Sequence, residues 1–228
     1  MRADLLRSVS HDIRTPLTSI VGSTSAVLEN PGISPQEQRE LLENAREEAQ
    51  WLIRVVENLL SITRMGDEQA RISKEPEPAE EVLGAAARKF RRRFPKVNVA
   101  VSVPDELLMV PMDPILIEQV LANLLENAAV HGRAANISLS LESEANFARI
   151  VVQDDGPGIP KNELDGLFDG RIRSRQSPDS DGKRNMGLGL SVCRAIVLAH
   201  GGTISARNLP QGAEFSFRLP TVPMEVSV

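Results

Sequence analysis

Two neighbouring side chains, His11 and Asp12, are the part of this chain best suited to chemistry; they lie within the run Arg7-Ser8-Val9-Ser10-His11-Asp12-Ile13-Arg14-Thr15-Pro16-Leu17-Thr18-Ser19-Ile20-Val21-Gly22-Ser23. A solvent-facing imidazole has a pKa near neutrality, so one ring nitrogen is free to act as a nucleophile at physiological pH. Asp12 can hold or accept the proton of the other nitrogen. Thr15 lies one turn on from His11. Pro16 removes a backbone hydrogen bond from the turn before it, which frees carbonyls beside the histidine and predicts a kink. A histidine beside an aspartate can also be no more than a solvated surface pair, so the rest of the chain must decide.

The element that positions His11 is legible from spacing. Leu6, Val9, Ile13, Leu17, Ile20, Thr24 and Val27 follow at steps of three and four, the stripe of a helix packed against a partner. His11 falls roughly 200° around the helix from Val9 and Ile13, on the polar side. The helix should end near Asn30-Pro31-Gly32, and Ser34-Pro35 should open a second one. There Leu41, Ala45, Ala49, Leu52, Val56, Leu59 and Thr63 approach a heptad seam. Two helices joined by a short turn form an antiparallel hairpin over residues 1–66. A lone hairpin cannot cover both stripes, so the expected solution is a homodimer forming a four-helix bundle. Trp51 beside the seam is read as packing.

Residues 67–78 are polar and end in Pro76 and Pro78, which predicts a linker or the start of a strand. Residues 79–220 then mix periods. Helices are expected at about 79–92, 114–131 and 188–200. Strands are expected at 97–103, 136–142, 147–153, 202–207 and 213–219, the last two around the turn Asn208-Leu209-Pro210-Gln211-Gly212. The architecture this predicts is a sheet covered on one face by helices, with 221–228 a tail. The basic run Lys89, Arg91, Arg92 and Arg93 reads as a solvated helix end.

Four segments of this second half suit phosphate chemistry. Asn123 and Asn127, four apart, share a helix face with Glu126 beside them, and an Asn carbonyl is a hard oxygen ligand for Mg²⁺. Val152-Gln153-Asp154-Asp155-Gly156-Pro157-Gly158 leaves a strand into a glycine turn. Asp154 can accept from an exocyclic amine there, while Gly156 and Gly158 let backbone approach a flat base. Gly187-Leu188-Gly189-Leu190 opens a helix, where free N–H groups favour phosphate. Residues 170–186, polar and arginine-rich, have the composition of a lid.

Composition narrows the classes. The 228 residues are 41% hydrophobic and 25% charged with a net charge of −5, an ordinary globular balance that gives no reason to expect nucleic acid as a partner. Cys193, the one cysteine, sits in an apolar helical run, fits a reducing cytosol and is read as core. No apolar stretch approaches about twenty residues, so neither a membrane span nor a signal peptide is expected within the chain. Met1 opens directly into a helix already in register, so the chain is expected to be a fragment.

Taken in order, these segments resemble the boxes of the sensor histidine kinases. His11-Asp12-Ile13-Arg14-Thr15-Pro16 resembles their H box, and Asn123-Leu124-Leu125-Glu126-Asn127-Ala128 their N box. Asp154-Asp155-Gly156-Pro157-Gly158-Ile159 is similar to the G1 box, Leu167-Phe168-Asp169 to the F box, and Gly187-Leu188-Gly189-Leu190 to the G2 box. The resemblance covers nearly the whole chain. It implies a dimerisation and histidine-phosphotransfer hairpin followed by an α/β sandwich ATP-binding domain of the gyrase/Hsp90/kinase type.

The activity it implies is autophosphorylation of His11 by ATP with Mg²⁺, then transfer to an aspartate of a response regulator. By the same resemblance His11, Asp12 and Thr15 are catalytic, and Thr15 orients water when such kinases dephosphorylate their partner. Asn123, Asn127, Asp154, Gly156, Gly158, Phe168, Arg173, Gly187, Leu188 and Gly189 surround the nucleotide, and Asn127 holds the metal. Ser10-His11-Asp12, Cys193-Arg194-Ala195-Ile196-Val197 and His200-Gly201-Gly202-Thr203-Ile204 look most like the potassium-responsive sensor kinases. Such a chain is cytoplasmic, and its whole protein is anchored to the inner membrane through a sensor region absent here.

The chain departs from the family pattern at Val130 and His131, where a lysine and an aromatic are usual, at Arg171, where a second aromatic is usual, and at Asn185, where a glycine is usual. A degenerate kinase acting as a dimeric scaffold or phosphatase is therefore one alternative. An ATPase of the gyrase or mismatch-repair kind is another, opposed by His11 and by Asn123 standing where those ATPases carry a catalytic glutamate.

Overall fold

The computed structural model describes residues 2–66, 74–168 and 188–221; for residues 2–12, 51, 54, 55, 57–66 and 188 it describes the backbone alone. The chain divides into two compact units, Met1–Leu60 and Ser61–Val228.

The first unit is built on α1 (Arg2–Glu29) and α2 (Pro35–Gly66), a helical hairpin. Its turn is held locally. Asn30 Oδ1 accepts from Gly32 N at 3.2 Å and Asn30 O from Ile33 N at 3.2 Å. Ser34 and Glu37 then form a reciprocal capping box. Ser34 Oγ accepts from Glu37 N at 3.2 Å, while Glu37 Oε2 accepts from Ser34 N at 3.1 Å and from the Ser34 hydroxyl at 2.7 Å. α1 continues unbroken through Pro16, and Thr18 Oγ1 donates back to Arg14 O at 2.9 Å. Along the two stripes Ala45 is buried and Ile13, Ile20, Leu41 and Leu52 are half-buried, but Leu17 and Val56 each remain 47% exposed.

The second unit runs β1 (Glu75–Pro78), α3 (Ala79–Arg93), β2 (Asn98–Ser102), β3 (Met109–Met112), α4 (Pro114–Val130), β4 (Asn136–Glu144), β5 (Phe147–Asp154), α5 (Lys161–Leu164), α6 (Leu188–Ala199), β6 (Thr203–Asn208) and β7 (Ala213–Pro220). The main sheet has the order β2-β4-β5-β7-β6, with β2 parallel to β4 and the other pairs antiparallel. Period-2 alternation places Ile137, Leu139, Leu141, Ile150, Val152, Phe215, Phe217 and Leu219 in the core. They pack there with Leu83 and Phe90 of α3, Leu121 and Leu124 of α4, and Ile196 and Val197 of α6.

The opposite face of the sheet is polar and carries a hub. Glu214, 2% exposed, accepts from Arg149, Gln153 and Arg207 at 2.7–2.9 Å. The hydrogen bond from Arg207 is the main reason its carboxyl lies below the usual range.

Three features add to these expectations. Of the linker or strand start expected at 67–78, residues 75–78 form the strand, β1, but its antiparallel partner β3 and their two-stranded ribbon were not foreseen; Pro76 sits opposite Pro111. The short α5 was also not foreseen. The basic run is not simply a solvated helix end. Lys89 pairs with Glu118, Arg93 with Glu126, and Arg91 donates to Val99 O at 2.8 Å, so this end of α3 is fastened to α4 and β2. All four side chains are exposed as expected, but the acidic partners of Lys89 and Arg93 lie more than twenty residues away and left no trace in the run itself.

Candidate nucleotide site and phospho-acceptor helix

Asp154 closes β5 and is 7% exposed. Its Oδ1 accepts from Gly156 N at 3.0 Å and from Ala213 N at 3.3 Å. Burial pushes its pKa up, against the lowering effect of those two bonds. The neighbouring carboxylate does different work. Asp155 accepts from Ala135 N at 3.0 Å, Asn136 N at 3.1 Å and Asn136 Nδ2 at 2.8 Å. The Asn136 side chain is the main cause of its lowered pKa. Asp155 thus fastens the turn after β5 to the start of β4, leaving Asp154 as the inward carboxylate of the pair.

Backbone crowds this point from three directions. A Cβ on Gly156 would overlap the carbonyl oxygen of Gly132, and one on Gly212, at φ +81°, would overlap the carbonyl oxygen of Asp154. Gly132 is confined in turn by Ala128 O. Only glycine meets these approaches. Asn208 completes the closure, its Oδ1 accepting from Ile159 N and its Nδ2 donating to Ile159 O, both at 2.7 Å.

The amide pair comes from α4. Asp113 caps that helix through Oδ1, accepting from Ile115 N at 3.0 Å and Leu116 N at 3.2 Å, with Pro114 at the first helical position. One face of α4 buries Ile117, Val120, Leu121, Leu124, Leu125 and Ala128, so Asn123 and Asn127 lie half-buried beside it. Asn123 Nδ2 is buried with no hydrogen-bond partner. The Asn123 carboxamide faces Gly189 at the start of α6, where an added Cβ would lie 3.9 Å from its Cγ and Oδ1. The same side chain lies close enough to the Cys193 thiol to lower its pKa against the effect of burial, so the amide sits between the core and the start of α6. Cys193 behind it is core, its thiol pushed up to about 12 by burial.

Of the other residues expected at the site, Phe168 packs edge-on against Phe215, with centroids 6.5 Å apart at 84°, which ties it to the core. Gly158 adopts φ +82° in the turn. Arg173 and Gly187 lie outside the described residues, as do Arg171 and Asn185; Leu188 is described only as the first residue of α6. His11 and Asp12 lie on the helical backbone of α1, and Thr15 is half-buried one turn on. Sequence reasoning missed Gly132, Asn208 and Gly212 as builders of the site. The turn 208–212 was visible as a turn, but its approach to Asp154 depends on sheet order.

Among the described residues no group of three or more His, Cys, Asp or Glu could hold a metal ion.

An α/β sandwich with this carboxylate, amide pair and glycine-opened helix, following a hairpin with a histidine before a helical proline, defines a class. Residues 112–223 match the model for the histidine kinase-, DNA gyrase B- and HSP90-like ATPases, and residues 1–68 match the His Kinase A (phospho-acceptor) domain. The chain belongs to the sensor histidine kinases and contains their catalytic portion. Over 223 residues it is 40% identical to the sensor protein KdpD of Clostridium acetobutylicum, covering 96% of this chain and 25% of that protein. To KdpD of Escherichia coli K12 it is 34% identical over 222 residues, covering 96% of this chain and 24% of that one. It thus spans about a quarter of the length of these relatives. In fold it is similar to the histidine kinase ThkA, solved in complex with the response regulator protein TrrA, with a TM-score of 0.73 at 24% identity over 97% of this chain and 62% of that one.

Proposed function

We propose that the chain transfers the γ-phosphoryl group of ATP to His11 and passes it to an aspartate of a response-regulator receiver domain. The observation that carries this reading is the cradle around Asp154, a buried carboxylate walled by glycine backbone, in one chain with a phospho-acceptor hairpin. Asp154 accepts from the adenine amine, and Gly156 and Gly158 leave room for the ring. Asn127 would hold Mg²⁺, which when bound neutralises charge on the phosphates. Arg173 adds a second positive charge, Gly187 belongs with it to the phosphate-binding residues, and the N–H groups of Leu188 and Gly189 at the start of α6 face the anion.

Phosphoryl transfer needs mainly alignment and charge neutralisation. A nitrogen of His11 attacks the γ-phosphorus, a P–N bond forms, the bond to the bridging oxygen breaks, and ADP leaves with that electron pair. Asp12 takes or shares the imidazole proton. Thr15 orients water for a separate reaction, hydrolysis of the partner's phosphoaspartate to aspartate and inorganic phosphate.

Exposure of Leu17 and Val56 on the hairpin supports a homodimer in which a second copy covers them. ThkA's complex with TrrA supports a receiver domain as the partner. Likeness to the KdpD sensor proteins supports a potassium-responsive whole protein anchored at the inner membrane outside this chain, with the present portion on the cytoplasmic side. No helix among the described residues is long and apolar enough to cross a membrane.

The test is incubation with γ-labelled ATP and Mg²⁺. Acid-labile, alkali-stable label on the chain is the expected result, and ATP turnover without any phosphoprotein would overturn the reading. Val130, Arg171 and Asn185 favour a second reading, a degenerate kinase acting as a dimeric scaffold or phosphatase with weak ATP binding; it predicts no label and at most weak nucleotide binding.

A further inference from the structure

His200 is one of the few polar side chains buried in the second unit, at 3% exposure, and the phosphotransfer scheme makes no use of it. It stands where α6 ends. Gly202 N donates to Val197 O and Gly201 N to Leu198 O, both at 2.9 Å, with Gly201 at φ +80°, a Schellman closure that makes His200 the last half-helical residue. Gly202 is pressed against Arg218 O, where a Cβ would overlap. The backbone carrying the imidazole is therefore fixed on both sides.

The ring joins two helices. Nδ1 lies 2.7 Å from Ile196 O, and Asp113 N lies 3.1 Å from Nε2. A carbonyl oxygen has no proton to give, so Nδ1 must donate, and Nε2 receives the Asp113 N–H on its lone pair. Asp113 is the cap of α4, so His200 ties the C-terminal end of α6 to the N-terminal end of α4. At the other end of the same antiparallel pair, Gly189 faces Asn123. Along α4 the two ends lie about 15 Å apart and along α6 about 16 Å, at 1.5 Å rise per residue. With matched lengths and a packed seam between them, displacement at one end is felt at the other.

We infer that His200 is a positioning residue for the nucleotide site: its neutral ring sets the register of α6 on α4, and so the distance between Gly189 and the asparagine pair. Protonation would place an N–H on Nε2 facing the Asp113 N–H and break the tie. Two charged groups act on the ring. Lys74, just before β1, opposes its protonation and Asp113 favours it, while burial is the largest influence and holds it neutral. The inference rests on reading Asn123, Asn127 and Asp154 as the nucleotide site.

The experiment compares wild type with His200→Gln, whose amide keeps an acceptor for Asp113 N but does not titrate, by measuring the Kd for ADP with Mg²⁺. As pH falls from about 8 to well below the ordinary imidazole range, where burial places the lowered titration of the His200 ring, the ratio of wild-type to variant Kd should rise at least about threefold. His11, His131 and the phosphates of ADP are common to both proteins and cancel in that ratio. A ratio independent of pH, with binding intact, overturns the inference alone; no ADP binding by either protein at any pH overturns the nucleotide reading and the inference with it. A ¹⁵N spectrum of the wild-type imidazole needs no variant. A proton on Nδ1 with Nε2 bare, and an Asp113 amide that shifts with the ring's titration, is the expected result, and a proton on Nε2 at neutral pH overturns it.

Discussion

The two units solve the same problem, covering apolar surface, in opposite ways. The α/β unit closes on itself: Leu139, Phe215, Leu121 and Leu124 are fully buried between one sheet face and its helices. The hairpin leaves Leu17 and Val56 47% exposed on its own stripes, with Val21 at 61% and Ile53 at 57% beside them. A unit that completes its core alone can act as a ligand-binding body, whereas one that needs a second copy is suited to assembly and to presenting a side chain to several partners. The difference also separates the proposed roles, since the residues we propose for the nucleotide sit in the self-sufficient unit and His11, the proposed phospho-acceptor, in the dependent one.

The largest effect that would sharpen this division is His11→Gln. Phosphorylation should vanish entirely while ATP affinity stays unchanged, and label retained on the variant would break the assignment. Gly212→Ala should act only on the other unit. Its Cβ would overlap Asp154 O at a positive φ, so we expect destabilisation of several kcal/mol, about 3 or more, seen as a lowered Tm with helical signal from the hairpin retained. Asp154→Asn should leave the fold intact and weaken ATP by about 1.5–3 kcal/mol, the usual worth of a hydrogen bond to a charged group, by calorimetry.

Leu17→Asp with Val56→Asp should shift the chain from dimer to monomer in sedimentation without moving the nucleotide Kd. A monomeric wild type would remove the contrast itself. The smallest effect is on the solvent-facing side of the sheet. The folded Glu214 carboxyl is depressed, so its contribution is fully present above its unfolded value of about 4.5 and is lost as pH falls through the lower folded value. Glu214→Gln should cost about 1–3 kcal/mol at neutral pH, given that Arg207 is 65% exposed and its attraction is screened. The cost should shrink as the medium becomes strongly acidic, and a penalty unchanged in acid would refute the ion-pair origin.

Elements with an uninterrupted period were legible in the residues. α1, α2, α4 and α6 fall within about two residues of their expected ends because caps such as Ser34 with Glu37, Asp113 with Pro114, and Gly201 are local in sequence. A strand start at Pro76 and Pro78 was one of two readings, but the β1–β3 ribbon was not legible, because the four-residue β3 carries no spacing of its own and is fixed only by tertiary pairing. The tie from Arg93 to Glu126 was hidden for the same reason, since pairing across thirty-three residues has no local signature. At the candidate site, Asp154 could be singled out from residue type and flanking glycines, and Asn123 with Asn127 from their spacing of four on a helix. Gly132, Asn208 and Gly212 could not, because their part depends on β5 and β7 being neighbours while β6 lies at the edge.

That convergence bears on how the protein folds. Asp154 is enclosed by backbone from Gly132, Gly156 and Gly212, segments eighty residues apart at the extremes, so the cradle exists only once the long-range pairing of β5 with β7 is made. Such distant pairing is among the slower events of folding. A growing or partly collapsed chain would therefore have no affinity for the nucleotide, and the hairpin, formed from near neighbours, would be in place first. Nucleotide would then recognise only the finished unit and add to its stability by mass action.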